Sequence, residues 1–225
     1  MTPQRLQRIR SVLRRRQPDL SVLLDNVHKP HNFSAIIRTC DAVGILEAHA
    51  VWPDPRLRPT NHTSGGSQKW VQVRAHRTIK GAIDVLRRDG NRIYAAHLSD
   101  AALDYRDIDY TDPCVIVLGA ELEGLSQEGL SLADEHVRIP IVGMVHSLNV
   151  SVAAAIILFE AQHQRQKAGL YDKSRLDDTT YKRMLFEWLH PQVANYCRQK
   201  HLAYPSLDDN GQIINCDYIN ADKVL

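Results

Sequence analysis

Strand-like and helix-like segments alternate along most of this chain, and one of the strands, CVIVLG (114–119), is apolar at every position. A strand in a sheet with one wet face alternates apolar and polar side chains. A strand that is apolar throughout belongs where both faces are covered. Helices alternating with such strands supply the covers, so the pattern predicts an α/β fold: a parallel sheet with helices on its faces.

The other strands read as LSVLLDNV (20–27), EAHAVW (47–52), WVQVRA (70–75), RIYAAHL (92–98) and HVRIPI (136–141). Residues 32–43 read as a helix with Ile36, Ile37, Cys40 and Val43 inward. A second helix runs from Ile79 to Arg88 and ends near Gly90, and the longest runs from Asn149 to Lys167. That last helix is apolar at Val150, Val152, Ala153, Ala154, Ile156, Ile157, Leu158 and Phe159, which is more than one face. A helix apolar nearly all round needs burial on two sides. The loop 54–70, rich in Pro and polar residues, is long for a compact domain.

Thr2 and Pro3 read as a helix cap and first turn. Leu6, Ile9, Val12 and Leu13 follow at helical spacing, with Arg8 and Arg15 flanking one side and Arg10 and Arg14 the other. After Gly169 the composition changes. Residues 177–200 read as helix, with Tyr181, Met184, Leu185, Trp188 and Val193 inward and Pro191 interrupting. The expected organisation is an N-terminal basic helix (1–18), an α/β domain (19–169), and a C-terminal helical extension with a tail (170–225).

A chain of 225 residues can bury one good core. No apolar run approaches membrane-spanning length. MTPQRLQRIR has no apolar stretch of the kind a secretory signal needs, so a cytoplasmic protein is expected. Cys40, Cys114, Cys197 and Cys216 form no C-x-x-C pair, and the eleven histidines lack ligand spacing, so no metal site is expected. Net charge is only +2 but unevenly spread. Residues 1–18 hold six arginines and no acid, while the end of the chain carries Asp208, Asp209, Asp217 and Asp222. That asymmetry suggests a basic surface for a polyanion.

Three segments carry candidate chemistry. In IPIVGMVHSLNVSVAAA (139–155) a strand end passes through Pro140, Gly143, His146, Ser147 and Asn149 into a helix. Helix N-termini present free N–H groups to anions and polar ligands; equally, Ser147 or Asn149 reads as an ordinary helix cap. The others are NFSAIIRTCDAVG (32–44) and VIVLGAELEGLS (115–126). Neither a G-x-G-x-x-G fingerprint nor a G-x-x-x-x-G-K-[ST] loop occurs, so dinucleotide and nucleoside-triphosphate sites have no support.

In this order and at this separation the three segments resemble the motifs of the SPOUT class of RNA ribose methyltransferases. VHKPHNFSAIIRTCDAVG, HAVWP, WVQVRAHRTI, HLSD, DIDYT, SLNVSVA and FEWLHPQVANYCRQKHLAYP resemble the bacterial members of that class that act on tRNA, over about residues 1–205. The resemblance implies a C-terminal trefoil knot through the second and third motifs, S-adenosyl-L-methionine as methyl donor, and an obligate homodimer. The implied reaction is methylation of the ribose 2′-hydroxyl of guanosine 18 in the tRNA D-loop. Alternatives are a ribosomal RNA methyltransferase of the same class and a non-catalytic RNA-binding protein.

The resemblance also implies roles. Arg38 takes the catalytic position. There the resemblance implies that it helps to deprotonate the ribose 2′-hydroxyl; because a guanidinium hardly ever loses its proton, the preferred reading is electrostatic, with Arg38 clamping a phosphate and stabilising the developing alkoxide. Asn32 holds the ribose or phosphate, and His28, Lys29 and His31 offer further phosphate contacts. Glu121 pairs with Arg38 or orients Asn32, and Ser147 and Asn149 lie by the reacting centre. Gly119 and the backbone of Ile139 and Leu148 cradle the cofactor. So does Ala96, where the class usually has Thr. Glu123 is a further departure, an acid where the class more often has a basic or neutral residue. Arg8, Arg10, Arg14 and Arg15 are the expected tRNA contacts.

Overall fold

The structure is a computed structural model and describes residues 2–52, 69–121 and 123–214. Most of the long 54–70 loop therefore lies outside the described residues, as do Cys216, Asp217 and Asp222. The chain divides into two compact units, Gln17–Tyr171 and Met1–Arg16 with Asp172–Leu225. The basic first helix and the C-terminal extension thus belong to one unit.

The larger unit holds β1 (Leu20–Asp25), α2 (Pro30–Val43), β2 (Glu47–Val51), β3 (Gln72–His76), α3 (Ile79–Arg88), β4 (Arg92–Ala96), β5 (Leu103–Asp104), β6 (Cys114–Gly119), α4 (Gln127–Ser131), β7 (Glu135–Arg138) and α5 (Val150–Lys167). Its seven strands form one sheet in the order β3-β2-β1-β6-β4-β7-β5. Every pairing in it is parallel. The core strand β6 explains its own sequence. Cys114, Ile116 and Leu118 pack on one face with α2 and α5, through Ile36, Ile37, Cys40, Ala154, Ile157 and Leu158. Val115 and Val117 pack on the other with Ile79, Ala82, Ile83 and Leu86 of α3.

Several strands stop short of the sequence reading, each for a local reason. β1 ends at Asp25 because Asn26 takes a left-handed conformation, φ 58°, which Asn tolerates better than most residues. β7 ends at Arg138 because Pro140 follows, with no N–H of its own and a restricting effect on Ile139. The sequence reading misses β5 and α4, of two and five residues, which are too short to develop a period.

α5 is capped by Asn149, whose side chain accepts from Ser151 N. One of its faces is buried through Ala154, Ile157, Leu158 and Ala161, while Val152 and Phe159 are exposed. Near its end Arg165 is fully buried. Its guanidinium donates to the carbonyls of Tyr110, Asp19 and Asp112, to Gln17 Oε1, and to Asp19 Oδ1 at 2.7 Å. A buried guanidinium persists only with its N–H groups paired, and here the pairing ties α5 to the segments leading into β1 and β6.

The second unit holds α1 (Pro3–Arg14), α6 (Asp178–Leu189), α7 (Pro191–Lys200) and the strands β8 (Ser206–Leu207) and β9 (Ile213–Ile214), which pair antiparallel. Thr2 caps α1 and Pro3 occupies its first turn. Leu6, Ile9 and Leu13 are buried, and α1 packs on α6. Pro191 ends one helix and begins the next. Arg16 is fully buried, with its guanidinium 5.2 Å from the centre of the Trp188 ring, a cation–π pairing. Arg10 is half-buried and donates to Asp209 O at 2.9 Å, while Arg8 and Arg14 are exposed.

Candidate active site

In open parallel sheets ligands bind beyond the carboxyl ends of the strands, where strand order reverses. Here the segments leaving β1, β4, β6 and β7 meet there around a cavity of about 530 Å³, which adjoins a smaller one of about 130 Å³. The larger volume suits a small-molecule site.

The segment after β6 is a tight hairpin. Ala120 N donates to Gly124 O and Gly124 N to Ala120 O, each at 2.9 Å. Gly124 has φ 68°. A Cβ on Gly119 would lie 2.2 Å from the Gly124 carbonyl carbon, so the hairpin closes only over a glycine. Asp25, opposite Gly119 in register, is buried. Its carboxylate accepts from Ser126 N and from Asn26 Nδ2, both at 2.9 Å, and so joins the hairpin's far end to the end of β1.

Within this frame three distant residues meet. Asn149 Nδ2 donates to Asn32 Oδ1 at 3.2 Å, and Asn32 Nδ2 donates to Glu121 Oε1. Partial burial pushes the Glu121 carboxyl up. The bond from Asn32, a backbone N–H and the nearby Lys29 and His28 outweigh that and hold it below the ordinary carboxylate value.

Of the residues expected from sequence, all but His28, Arg38 and the arginines of α1 line one of the two cavities. Asn32, Glu121, Ser147, Asn149, His31, Ala96, Gly119 and Leu148 line the larger cavity. Ile139 joins Ala96, Ser147 and Leu148 in the smaller, largely apolar slot. Arg38 lines neither. It is exposed on α2 and has no ion pair among the described residues. Of the two partners weighed for Glu121, the structure has Asn32. The arginines of α1 belong to the other unit.

Sequence reasoning misses two residues at the site. His97 lines both cavities and stands edge-on to His136, ring centres 5.6 Å apart. Burial and then His136 lower its pKa. Asp25 sits at the end of an apolar strand, and a lone acid there is the signal that could have found it.

The slot beside Ile139 and Leu148 has largely apolar walls. The larger cavity is the more polar of the two, with Lys29, His31, Asn32, Glu121, Glu123 and Asn149 in its lining. The fold that carries this site is that of a methyltransferase family. Residues 19–159 match the SpoU rRNA Methylase family and residues 163–216 the SpoU rRNA methylase C-terminal family, so the chain belongs to the SpoU methylases.

Among its relatives is the tRNA (guanosine(18)-2′-O)-methyltransferase of Escherichia coli (strain K12). The two are 52% identical over 215 residues, 95% of this chain and 94% of that one. The TrmH/SpoU tRNA modifying enzyme of A. aeolicus superposes with a TM-score of 0.77 at 41% identity, covering 82% of this chain and 94% of that chain. The SpoU methyltransferase AviRb of Streptomyces viridochromogenes, in complex with the cofactor AdoMet, gives 0.57 at 29% identity, covering 67% and 62%.

Proposed function

We propose that this protein is a tRNA (guanosine(18)-2′-O)-methyltransferase that uses S-adenosyl-L-methionine and works in the cytoplasm. The observation that carries the reading is the chain Asn149–Asn32–Glu121 at the cavity, in a sequence 52% identical to a relative with that name. The cofactor supplies a methyl group already activated by the sulfonium, so the protein's work is orientation and charge.

Ile139, Leu148 and Gly119 hold the cofactor. The fixed amide of Asn32 positions the acceptor ribose, with Ser147 and Asn149 beside it. Lys29 and His31 on the cavity wall take the flanking phosphate. Arg38 clamps phosphate and stabilises the alkoxide as the 2′-hydroxyl loses its proton. The arginines of α1 grip tRNA. The segment through the second and third motifs forms the trefoil knot of the class.

The functional unit is a homodimer whose interface helps to form the active site. Val152 and Phe159 on α5, with Val142, Met144 and Val145 in the preceding loop, are exposed apolar side chains, and a patch of that kind favours a protein partner. Arg38, outside its own chain's cavity, serves the site that the interface completes. Sedimentation at low micromolar concentration should give a dimer, and Phe159→Glu should shift it toward monomer. A folded, active wild-type monomer would remove the assembly from the mechanism.

The reaction is tested with purified protein, labelled cofactor and a tRNA transcript, followed by nucleoside analysis. The methyl should appear on the ribose of guanosine 18. Methyl on a base, or on ribosomal RNA alone, would sink the reading. Arg38→Ala should abolish turnover and leave cofactor binding nearly unchanged; near-normal turnover would remove Arg38 from catalysis.

A further inference from the structure

The lining of the larger cavity carries both a cation and acids. Lys29 comes from the segment that opens α2, with His31 beside it, and Glu121 and Glu123 come from the hairpin after β6. The two acids differ in what they are tied to. Glu121 accepts from Asn32. Glu123 is exposed at the cavity wall and has no hydrogen bond or ion pair among the described residues. A free carboxylate there repels the phosphates of an RNA and attracts whatever cation enters.

The cofactor assigned above brings such a cation. In the transfer the S–CH3 bond breaks with its electron pair going to sulfur. The new O–CH3 bond forms at the ribose, and the hydroxyl proton leaves to solvent. The sulfonium thereby becomes a neutral thioether, while the adenosine and the amino-acid end are unchanged. Donor and product therefore differ at that atom in charge as well as in the methyl group, and a charge-sensitive contact can tell them apart.

We propose that Glu123 is a specificity-determining residue that favours the sulfonium-bearing cofactor over its demethylated product, so that the site lets go of the product once the methyl has moved. The proposal rests on the cofactor reading given under the proposed function. Glu121 is less suited to the task, because the Asn32 amide and the nearby Lys29 and His28 already answer its charge. Because Glu123 is exposed, solvent screens it, and the preference is modest: roughly threefold to tenfold in affinity.

The test is calorimetric titration of the full chain and of Glu123→Gln with three ligands. S-adenosylmethionine carries the sulfonium charge. Sinefungin carries an ammonium near the same place. S-adenosylhomocysteine carries neither, and all three share the amino-acid end. The variant should bind the first two about threefold to tenfold more weakly and the third within about twofold of wild type. Equal weakening of all three would place Glu123 at the shared amino-acid end and overturn the proposal. Unchanged affinity for all three would overturn it as well. Wild-type protein that binds none of them would overturn the cofactor reading, and this proposal with it.

Discussion

Asn149 Nδ2 donates to Asn32 Oδ1 at 3.2 Å, although 117 residues separate the two in the chain. The direction of that bond follows from chemistry. Asn149 Oδ1 is occupied, accepting from Ser151 N at 2.8 Å and Ser151 Oγ at 2.6 Å. Its amide nitrogen is what remains for Asn32. Asn32 then has only its own nitrogen left, and that points at Glu121, a carboxylate that can only accept. One residue therefore caps the longest helix and sets the amide at the site.

Asn149→Asp separates the two jobs. Aspartate caps a helix as well as asparagine does, so thermal stability should stay within about 0.5 kcal/mol of wild type. The donor to Asn32 is replaced by an acceptor, so turnover should fall by about a hundredfold or more. Wild-type turnover in this variant would show that the Asn149–Asn32 bond has no part in the reaction.

Gly119→Ala should be far more damaging than its size suggests. The added methyl would fall 2.2 Å from a backbone carbon of Gly124 and 2.3 Å from Leu125 N, with no flexible side chain to yield. The hairpin must open, at a cost of roughly 1–3 kcal/mol, and cofactor affinity should drop more than about tenfold. Gly143→Ala is the control, since nothing lies within 4 Å of its would-be Cβ. Calorimetric titration and thermal melting of both variants decide the point. Equal behaviour of the two would refute the steric argument.

Much of the architecture was legible because the signals were local. The apolar run of β6, the Thr2-Pro3 start of α1 and the break at Pro191 each declare themselves within a few residues. Asn26 could not be read as the end of β1, since Asn tolerates a left-handed backbone without announcing where it adopts one. The convergence of Asn32, Glu121 and Asn149 was accessible only through resemblance, because no spacing rule links residues 89 and 117 positions apart. That α1 and the C-terminal helices form one unit was hidden for the same reason. Arg165 misleads outright: a cation in the last turn of a helix reads as a solvated charge complementing the dipole, yet it is fully buried.

Removal of Arg165 should therefore cost far more than a surface charge would. Arg165→Met keeps the bulk but removes the hydrogen bonds that the guanidinium gives to the Asp19 carboxylate and to the carbonyls of Tyr110, Asp19 and Asp112. Breaking a buried pair by deleting one partner typically costs about 3–5 kcal/mol. Arg165→Lys should recover part of this, since an ammonium reaches fewer of the acceptors. Urea unfolding of the three proteins measures it, and a destabilisation below about 1 kcal/mol for Arg165→Met would contradict the buried-pair account.

The arginines of α1 should not be equivalent toward tRNA. Arg8 and Arg14 are exposed, whereas Arg10 is half-buried and already donates to the Asp209 carbonyl. Removing one arginine–phosphate pairing lowers the slope of log affinity against log salt by about 0.9 or somewhat less. Arg8→Gln and Arg14→Gln should each flatten that slope, and Arg10→Gln should do so least. Filter binding of tRNA across a salt series would reveal it. An unchanged slope in a variant lacking all of Arg8, Arg10, Arg14 and Arg15 would make α1 purely structural.

The buried His49 makes stability depend on pH, with a definite sign. Burial first, then His76 and Arg74, lower its pKa from 6.5 to about 4. Its Nδ1 shares a hydrogen bond of 3.0 Å with His76 Nε2. Glu47 lies 3.4 Å from its other nitrogen but is partly exposed, with Arg74 nearby. In the folded protein the ring stays neutral down to about pH 4, whereas in the unfolded chain it takes a proton near 6.5. Between those values the unfolded state binds more protons, so stability rises with pH through the window. It is complete above about pH 6.5 and falls progressively toward pH 4, by at most roughly 3 kcal/mol. His76, lowered by burial and then Arg74, acts in the same direction. His49→Gln should flatten the dependence of unfolding free energy on pH between 4 and 6.5, as followed by urea denaturation at several pH values. If the variant keeps the wild-type slope, the pH dependence arises elsewhere in the fold.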